Sequence, residues 1–372
     1  MADADADAER LATLAAPDWD GEFRAVPREH FIPERARATP MDGSPSIWID
    51  RSEDPGRWRA AVYSDATVLT QVDDGATDLA PGTTALPTSS STAPGLVLEF
   101  LRLLAPTPGD RVLEIGTGTG WTAGLLAARL GEDRVTTVEV DAGVAAQAAE
   151  NLKRTGFAPH LIVGDGACGH PEGAPFDRVH VTCAVTDIPA AWVEQLRPGG
   201  LIALPWAPVQ AKAHKVVLTG LGEGRAVGRF HGDTAFMMLR SQRRDLPRPA
   251  GEARESHGRI DPMRIASADR GLEVVATALL PGVAINALGT PDDRIGLWDP
   301  VTGSYALAVR IGGGAPEVDE RGPRSLWSEM EEAYLKWLAM GAPGRDRLGL
   351  LIDRQGRHVW LDRPDNVIGE SI

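Results

Sequence analysis

Beyond residue 110 the chain alternates short, mainly apolar runs with longer stretches of helical period. Arg111-Val-Leu-Glu-Ile115 reads as a buried strand, and residues 121–131 as a helix stopped by glycine. Residues 134–140 predict a second strand, the alanine-rich 144–156 a second helix, and 160–164, 176–183 and 201–204 the strands that follow. Strands alternating with helices at this spacing predict a doubly wound α/β fold with a mostly parallel sheet. Residues 215–221 and 236–239 read as later, antiparallel strands. Ahead of the alternation, the first hundred or so residues read as short helices among loops. There the segment 77–94 is so rich in Thr, Ser, Pro and Gly that irregular backbone is expected.

The polar, proline-rich stretch from Arg243 to Arg254 reads as a linker. After it, residues 325–341 predict an amphipathic helix with Leu326, Met330, Tyr334, Trp337 and Leu338 on one side. Gly341 and Pro343 supply its stop signals. Residues 347–353 and 357–362 predict a hairpin turning at Arg354-Gln-Gly356. A chain of 372 residues suggests two domains. The expected division is a first domain over 1–245, a linker at 246–256 and a smaller α/β domain over 257–372. Within the first, a cap covers 1–95 and the doubly wound core 96–245.

Composition narrows the partners. A hydrophobic fraction of 43% suits a globular core, and no run of 18 apolar residues predicts a membrane span. The opening Met1-Ala-Asp-Ala-Asp is acidic where a secretory signal would be basic, and Cys168 and Cys183 sit in no cluster. Both features predict a reducing, cytoplasmic setting. A net charge of −14 argues against nucleic acid and anionic membranes and favours a peptide partner. The eight histidines are scattered without an i, i+4 pair, so no metal site is expected, and His30 and His231 read as structural or surface residues. Trp298, Trp327, Trp337 and Trp360 suit the core of a small domain better than an aromatic peptide groove.

Val112-Leu-Glu-Ile-Gly-Thr-Gly-Thr-Gly120 lies where a strand should turn into a helix. Gly116, Gly118 and Gly120 let backbone turn sharply and approach a ligand. A dinucleotide site uses the same device, but its third glycine comes three residues after the second, whereas here it comes two after and bulky Trp121 follows. Glu114 at the strand end suits a cationic sulfonium or amino group and would repel a pyrophosphate. Glu139 ends the second strand, where a carboxylate accepts from two ribose hydroxyls, and Asp165 in Gly164-Asp-Gly166 is placed to receive an adenine amino group. Three acids at successive strand ends predict one S-adenosylmethionine crevice, with S-adenosylhomocysteine as product. Ser89, Glu114, Ile115, Gly116, Thr117, Gly118, Thr119, Gly120, Glu139, Val140, Asp165 and Gly166 are expected to line it.

Further motifs carry a family resemblance over roughly residues 20–245. Val26-Pro-Arg-Glu-His-Phe-Ile-Pro33, Tyr63-Ser-Asp65, Ser89-Ser-Ser-Thr-Ala-Pro94, Gly164-Asp-Gly166, Ala174-Pro-Phe-Asp177, Val181-Thr182 and Pro198-Gly-Gly200 follow in order. Together they resemble the protein-L-isoaspartate O-methyltransferases, which implies a Rossmann-like class I SAM-dependent methyltransferase fold and methylation of a carboxylate. The family's active-site serine aligns with Thr92, so Thr92, Ser91 and Ser90 are the implied catalytic residues, and Tyr63 and Asp65 are placed at the acceptor. The hydroxyl-rich run and the C-terminal extension resemble a divergent actinobacterial branch acting on ribosomal peptides, graspetides or lanthipeptides. There an aspartyl methyl ester collapses to aspartimide, and the implied partner is a crosslinked precursor peptide. A repair enzyme for isoaspartyl proteins is the alternative within the family. A non-catalytic peptide-binding protein and, more remotely, a nicotinamide oxidoreductase are the readings outside it. The Ser/Thr run also reads as a plain cap for the helix that begins near Pro94.

Overall fold

A computed structural model describes residues 9, 11, 13–15, 17–208, 213–243, 249, 251–288, 293–312 and 314–369. They fall into two compact units. The first comprises the described parts of Met1–Cys183 with Gln195–Leu204 and Leu239–Ser241; the second comprises Ala184–Glu194, Pro205–Met238 and the described parts of Gln242–Ile372. The second unit therefore takes in stretches assigned on sequence to the first, and the boundary expected at residue 245 lies outside the described residues.

After a short helix at Asp20–Ala25, the first unit forms an antiparallel sheet where only short helices and loops were expected. Its strands β1 (Arg35–Pro40), β2 (Ile47–Asp50), β3 (Ala66–Val72) and β4 (Pro87–Ser91) are ordered β2-β1-β3-β4. The end of the supposedly irregular segment is thus a strand, with Leu69 opposite Ser90 and Val68 opposite Ser91. Helix α1 (Pro94–Leu104) follows, then β5 (Val112–Ile115), α2 (Trp121–Leu130), β6 (Val135–Glu139), α3 (Ala142–Arg154), β7 (His160–Val163), β8 (Phe176–Val181) and β9 (Leu196–Trp206). These five strands run parallel in the order β9-β8-β5-β6-β7, the doubly wound arrangement expected. Every residue of β5 is buried, Glu114 included, as expected of a central parallel strand. Asp141 caps α3 by accepting from the Gly143 and Val144 amides, at 2.9 and 3.1 Å.

The second unit contains the hairpin β10 (Ala213–Gly222) and β11 (Arg225–Thr234). One expectation fails here: residues 236–239 hold only an isolated bridge at Met238, whereas 215–221 lie in β10, which pairs antiparallel with β11, a strand not anticipated. Glycines 228 and 232 and the polar residues of β11 masked its strand pattern, yet a Cβ at Gly228 would strike the Val217 carbonyl. The strands β12 (Arg254–His257), β13 (Ala284–Leu288), β14 (Arg294–Asp299), β15 (Ser304–Val309) and β16 (Glu317–Arg321) form an antiparallel sheet ordered β12-β16-β15-β14-β13. β12 occupies part of the stretch read as linker. The hairpin β17 (Leu348–Asp353) and β18 (Gly356–Leu361) is as expected, and β17 pairs with β11. Helix Leu326–Ala339 buries Leu326, Trp327, Met330 and Trp337. Trp327, Trp337 and Trp360 are core residues, while Trp298 is half-buried against Tyr305.

Candidate active site

The glycine loop leaves β5 in a conformation only glycine adopts freely. Gly116, Gly118 and Gly120 have φ of +90°, +55° and +91°. A Cβ on Gly116 would lie 2.5 Å from the Thr182 hydroxyl oxygen, and one on Gly118 would lie 3.4 Å from the Ser90 carbonyl oxygen. The loop therefore passes directly beneath β4. The Gly118 amide donates to Glu139 Oε2 at 2.9 Å, and the Asp141 amide to Glu139 Oε1 at 3.1 Å. Burial pushes the Glu139 carboxyl above its usual range, opposed in part by those two amides and by Arg240.

Around Glu139 the other expected rim residues gather. Val140 keeps 40% of its surface exposed, an apolar side chain at the sheet's carboxyl edge. Asp165 is exposed and accepts from the Ala167 amide at 2.9 Å and the Ser241 hydroxyl at 3.1 Å. Gly166 packs where a Cβ would lie 2.6 Å from Ile115 Cγ2. The sequence reading did not single out Gln71, Asp141 or Arg240. Asp141 Oδ2 accepts from Gln71 at 3.1 Å and Arg240 at 3.3 Å, and Arg240 also pairs with Asp74 at 3.1 Å. They lie far apart in sequence, so no local motif signals them. Burial, then the Glu139 and Asp165 charges, push the Cys183 thiol up to about 12, which disfavours its thiolate.

Five expected roles change. Glu114 has no exposed surface, so it is an internal group and not a crevice wall. One of its oxygens accepts from Thr137 at 2.7 Å, Thr137 shares a 2.6 Å bond with Thr117, and the other oxygen lies 3.6 Å from His180 Nδ1. Ile115 and Thr117 are likewise buried, and they shape the loop from beneath. Tyr63 is buried with the Arg59 guanidinium 4.9 Å from its ring, so it does not face an acceptor entrance. Asp65 accepts from the Gly95 amide at 2.8 Å, where a Cβ on Gly95 would lie 2.9 Å from its Oδ2. That carboxylate, and no Ser or Thr of β4, serves the start of α1, whose flanking Ala93 offers no side-chain cap.

Strand alternation splits the hydroxyl run into two pairs. Ser89 and Ser91 are buried, with Thr70 donating to Ser89 at 3.3 Å and Arg28 to Ser91 Oγ at 3.4 Å. Ser90, on the strand that crosses Gly118, and Thr92, just past its end, remain half-exposed. Thr119 contributes its carbonyl, which accepts from Asn151 at 3.0 Å. A glycine loop with amides at positive φ, an acid ending β6, an exposed apolar neighbour and an acid after β7 fit a nucleoside. Among the described residues, no three His, Cys, Asp or Glu side chains group as a metal would require, and no helix is long and apolar enough to cross a membrane.

Comparison with known proteins agrees with this geometry. Residues 48–243 match the family Protein-L-isoaspartate(D-aspartate) O-methyltransferase (PCMT). The protein-L-isoaspartate O-methyltransferase of Methanopyrus kandleri is 39% identical over 150 residues, 40% of this chain and 66% of that protein. Its counterpart in Opitutus terrae is 34% identical over 202 residues, 54% of this chain and 67% of its own length. The chain thus spans about two thirds of these relatives. A solved structure of a protein-L-isoaspartate O-methyltransferase superposes with a TM-score of 0.56 at 20% identity, over 96% of this chain and 100% of that one. The fold is that of class I SAM-dependent methyltransferases. That coverage reaches well past residue 245, so a C-terminal region does not by itself mark a divergent branch.

Proposed function

The chain belongs to the protein-L-isoaspartate(D-aspartate) O-methyltransferase family, and on that premise we propose that it methylates isoaspartyl carboxylates of proteins or peptides. The observation that carries this reading is the crossing of Gly118 by Ser90: the loop suited to a nucleoside and the strand bearing free hydroxyls meet at one point. S-adenosylmethionine, when bound, supplies an electrophilic methyl group on a sulfonium. Glu139 and Asp165 would hold its ribose and adenine, and Val140 would pack on the base.

The remaining chemistry asks little of the protein beyond orientation. A carboxylate with a pKa of about 4 is ionised at neutral pH, so its oxygen attacks without a general base. Ser90 and Thr92 donate hydrogen bonds that fix the carboxylate in line, converting an encounter into a positioned reaction. Ser91, held beneath by Arg28, supports that edge and does not face the acceptor. The resulting ester loses methanol to the following backbone nitrogen with no further protein group. Two free cysteines suit a reducing cytoplasm.

Action on a crosslinked ribosomal peptide is the narrower reading, and one of its sequence supports, the C-terminal extension, is shared in fold with a solved protein-L-isoaspartate O-methyltransferase. Mass spectrometry of peptides incubated with enzyme and S-adenosylmethionine separates the two. Methyl gain on an isoaspartyl peptide, but not on its aspartyl isomer, is the expected result. Reaction of a crosslinked peptide alone would transfer the assignment to peptide maturation, and no methyl gain on any carboxylate peptide would refute both.

A further inference from the structure

The Val26–Pro33 element contains a side chain that methyl transfer as described leaves unused. Arg28 has no exposed surface. Its guanidinium donates to the carbonyls of Val62 at 2.9 Å, Ser64 at 3.4 Å and Ala66 at 2.9 Å. It donates equally to the carbonyls of Ser91 at 3.3 Å and Thr92 at 3.0 Å, and to Ser91 Oγ at 3.4 Å. Its flat face lies 5.2 Å from the ring of Trp121, the residue that follows Gly120. One buried cation thus ties together the Val62–Ala66 turn, the outer edge of the hydroxyl-bearing strand and the start of the helix behind the glycine loop.

All six of those acceptors are neutral oxygens. A buried cation normally has an anion against it, because desolvating an isolated charge is expensive. Among the described residues, no carboxylate lies within ion-pairing distance of Arg28, and its Nε has no hydrogen-bond partner. Asp65 is the acid whose charge acts on it, and that carboxylate is engaged by the Gly95 amide. Burial lowers the guanidinium to about 9, which leaves it cationic at neutral pH. Neutral dipoles spread this charge without cancelling it. Its field extends through the Ser91–Thr92 backbone to the half-exposed side of the strand, weakly screened because the guanidinium is fully buried.

We propose that Arg28 is a specificity-determining and positioning residue, which fixes the Ser90–Thr92 edge and makes it selective for a negatively charged acceptor. The inference rests on the carboxyl-methylation reading and assigns part of its acceptor discrimination to a residue that touches no reacting atom. A purely structural clamp would hold the same backbone but show no dependence on charge.

The test compares the full chain with Arg28→Lys and Arg28→Gln. Lysine keeps the charge with fewer fixed donors, and glutamine keeps donors without the charge. For an isoaspartyl hexapeptide, Arg28→Gln should raise KM about tenfold or more, and Arg28→Lys clearly less. S-adenosylhomocysteine affinity, measured by calorimetry, should stay within about threefold in both. Equal losses in the two variants, or an unchanged KM in Arg28→Gln, would overturn the inference. If neither variant folds, the wild type decides through competition by the same hexapeptide with its isoaspartyl carboxylate converted to an amide. Inhibition at least about tenfold weaker supports the role of charge, and equal inhibition overturns it. A wild type that methylates no carboxylate peptide overturns the functional reading and this inference together, whereas normal transfer with unaltered Arg28→Gln overturns this inference alone.

Discussion

Glu139→Gln offers the sharpest separation of binding from stability. Glu139 is 9% exposed, and its two oxygens take the Gly118 amide at 2.9 Å and the Asp141 amide at 3.1 Å. A glutamine amide has one acceptor oxygen and one NH2, so in either orientation one backbone N–H faces another donor. It also withdraws an acceptor from the ribose diol expected there. A hydrogen bond to a charged group contributes about 1.5–3 kcal/mol, so S-adenosylhomocysteine should bind about 10- to 150-fold more weakly. Stability should respond differently. Burial holds the Glu139 carboxyl above its usual range, which means the interior disfavours its charge. Neutral glutamine removes that penalty and offsets much of the lost amide bond, leaving Tm within about 4 °C. Calorimetric titration and a thermal melt read the two quantities. Affinity within about threefold of wild type, with Tm intact, would refute the assignment of Glu139 to the ribose. The raised carboxyl also fixes a sign: the ionised acceptor is lost as pH falls through that raised value. Wild-type affinity should therefore weaken on acidification sooner than an ordinary carboxylate would allow.

Three further substitutions probe other parts of the chain. Gly116→Ala places a methyl 2.5 Å from the Thr182 hydroxyl oxygen at φ +90°; a left-handed strain of about 1–2 kcal/mol and an overpacking term of about 1–3 should lower Tm by several degrees and weaken S-adenosylhomocysteine binding. Thr92→Val should lower kcat/KM for an isoaspartyl peptide about tenfold, whereas Ser91→Ala, whose hydroxyl is buried beside Arg28, should change it far less; equal effects would show that the half-exposed hydroxyl has no special part. In the second unit, burial raises the Glu273 carboxyl to about 7, above its unfolded value near 4.5. Its protonated form therefore favours the fold, and that contribution is present below the unfolded value and lost as pH rises through about 7. Glu273→Gln should gain Tm relative to wild type at pH 8 compared with pH 5, in a melt series across that window, and an unchanged difference would contradict the buried assignment.

The doubly wound core was legible because its signals are local. Val112–Ile115 is buried at every position and reads as a buried strand despite Glu114, and Gly131 marks the end of α2 where it occurs. The glycine loop and Glu139 were legible for the same reason. The β1–β4 sheet was not, since Pro87–Ser91 is composed of turn-forming residues held extended by pairing with β3. Glu114 misled because its position at a strand end suggested an open crevice. Whether its side chain points outward or toward Thr137 depends on the packing of β6 beside it, a contact between strands. Asp65 and Tyr63 were read as acceptor residues when their partners, Gly95 and Arg59, make them supports. Arg28 stands inside the Val26–Pro33 motif, but its importance lies in carbonyls from 34 to 64 residues away.

Strand β11 carries a consequence for how the chain is made. Its partner β17 lies far downstream, with Ala226 opposite Ile352. At a synthesis rate of about 5–20 residues per second, the edge of β11 waits roughly 6–25 s on the ribosome before β17 can reach it. Throughout that interval a row of unsatisfied backbone groups is open to any neighbouring strand. The glycines and charged residues along Arg225–Thr234 that hid this strand from its hydrophobic pattern also make it a poor template for foreign pairing. A sequence too polar to look like a strand is, for a nascent chain, one that can afford to wait.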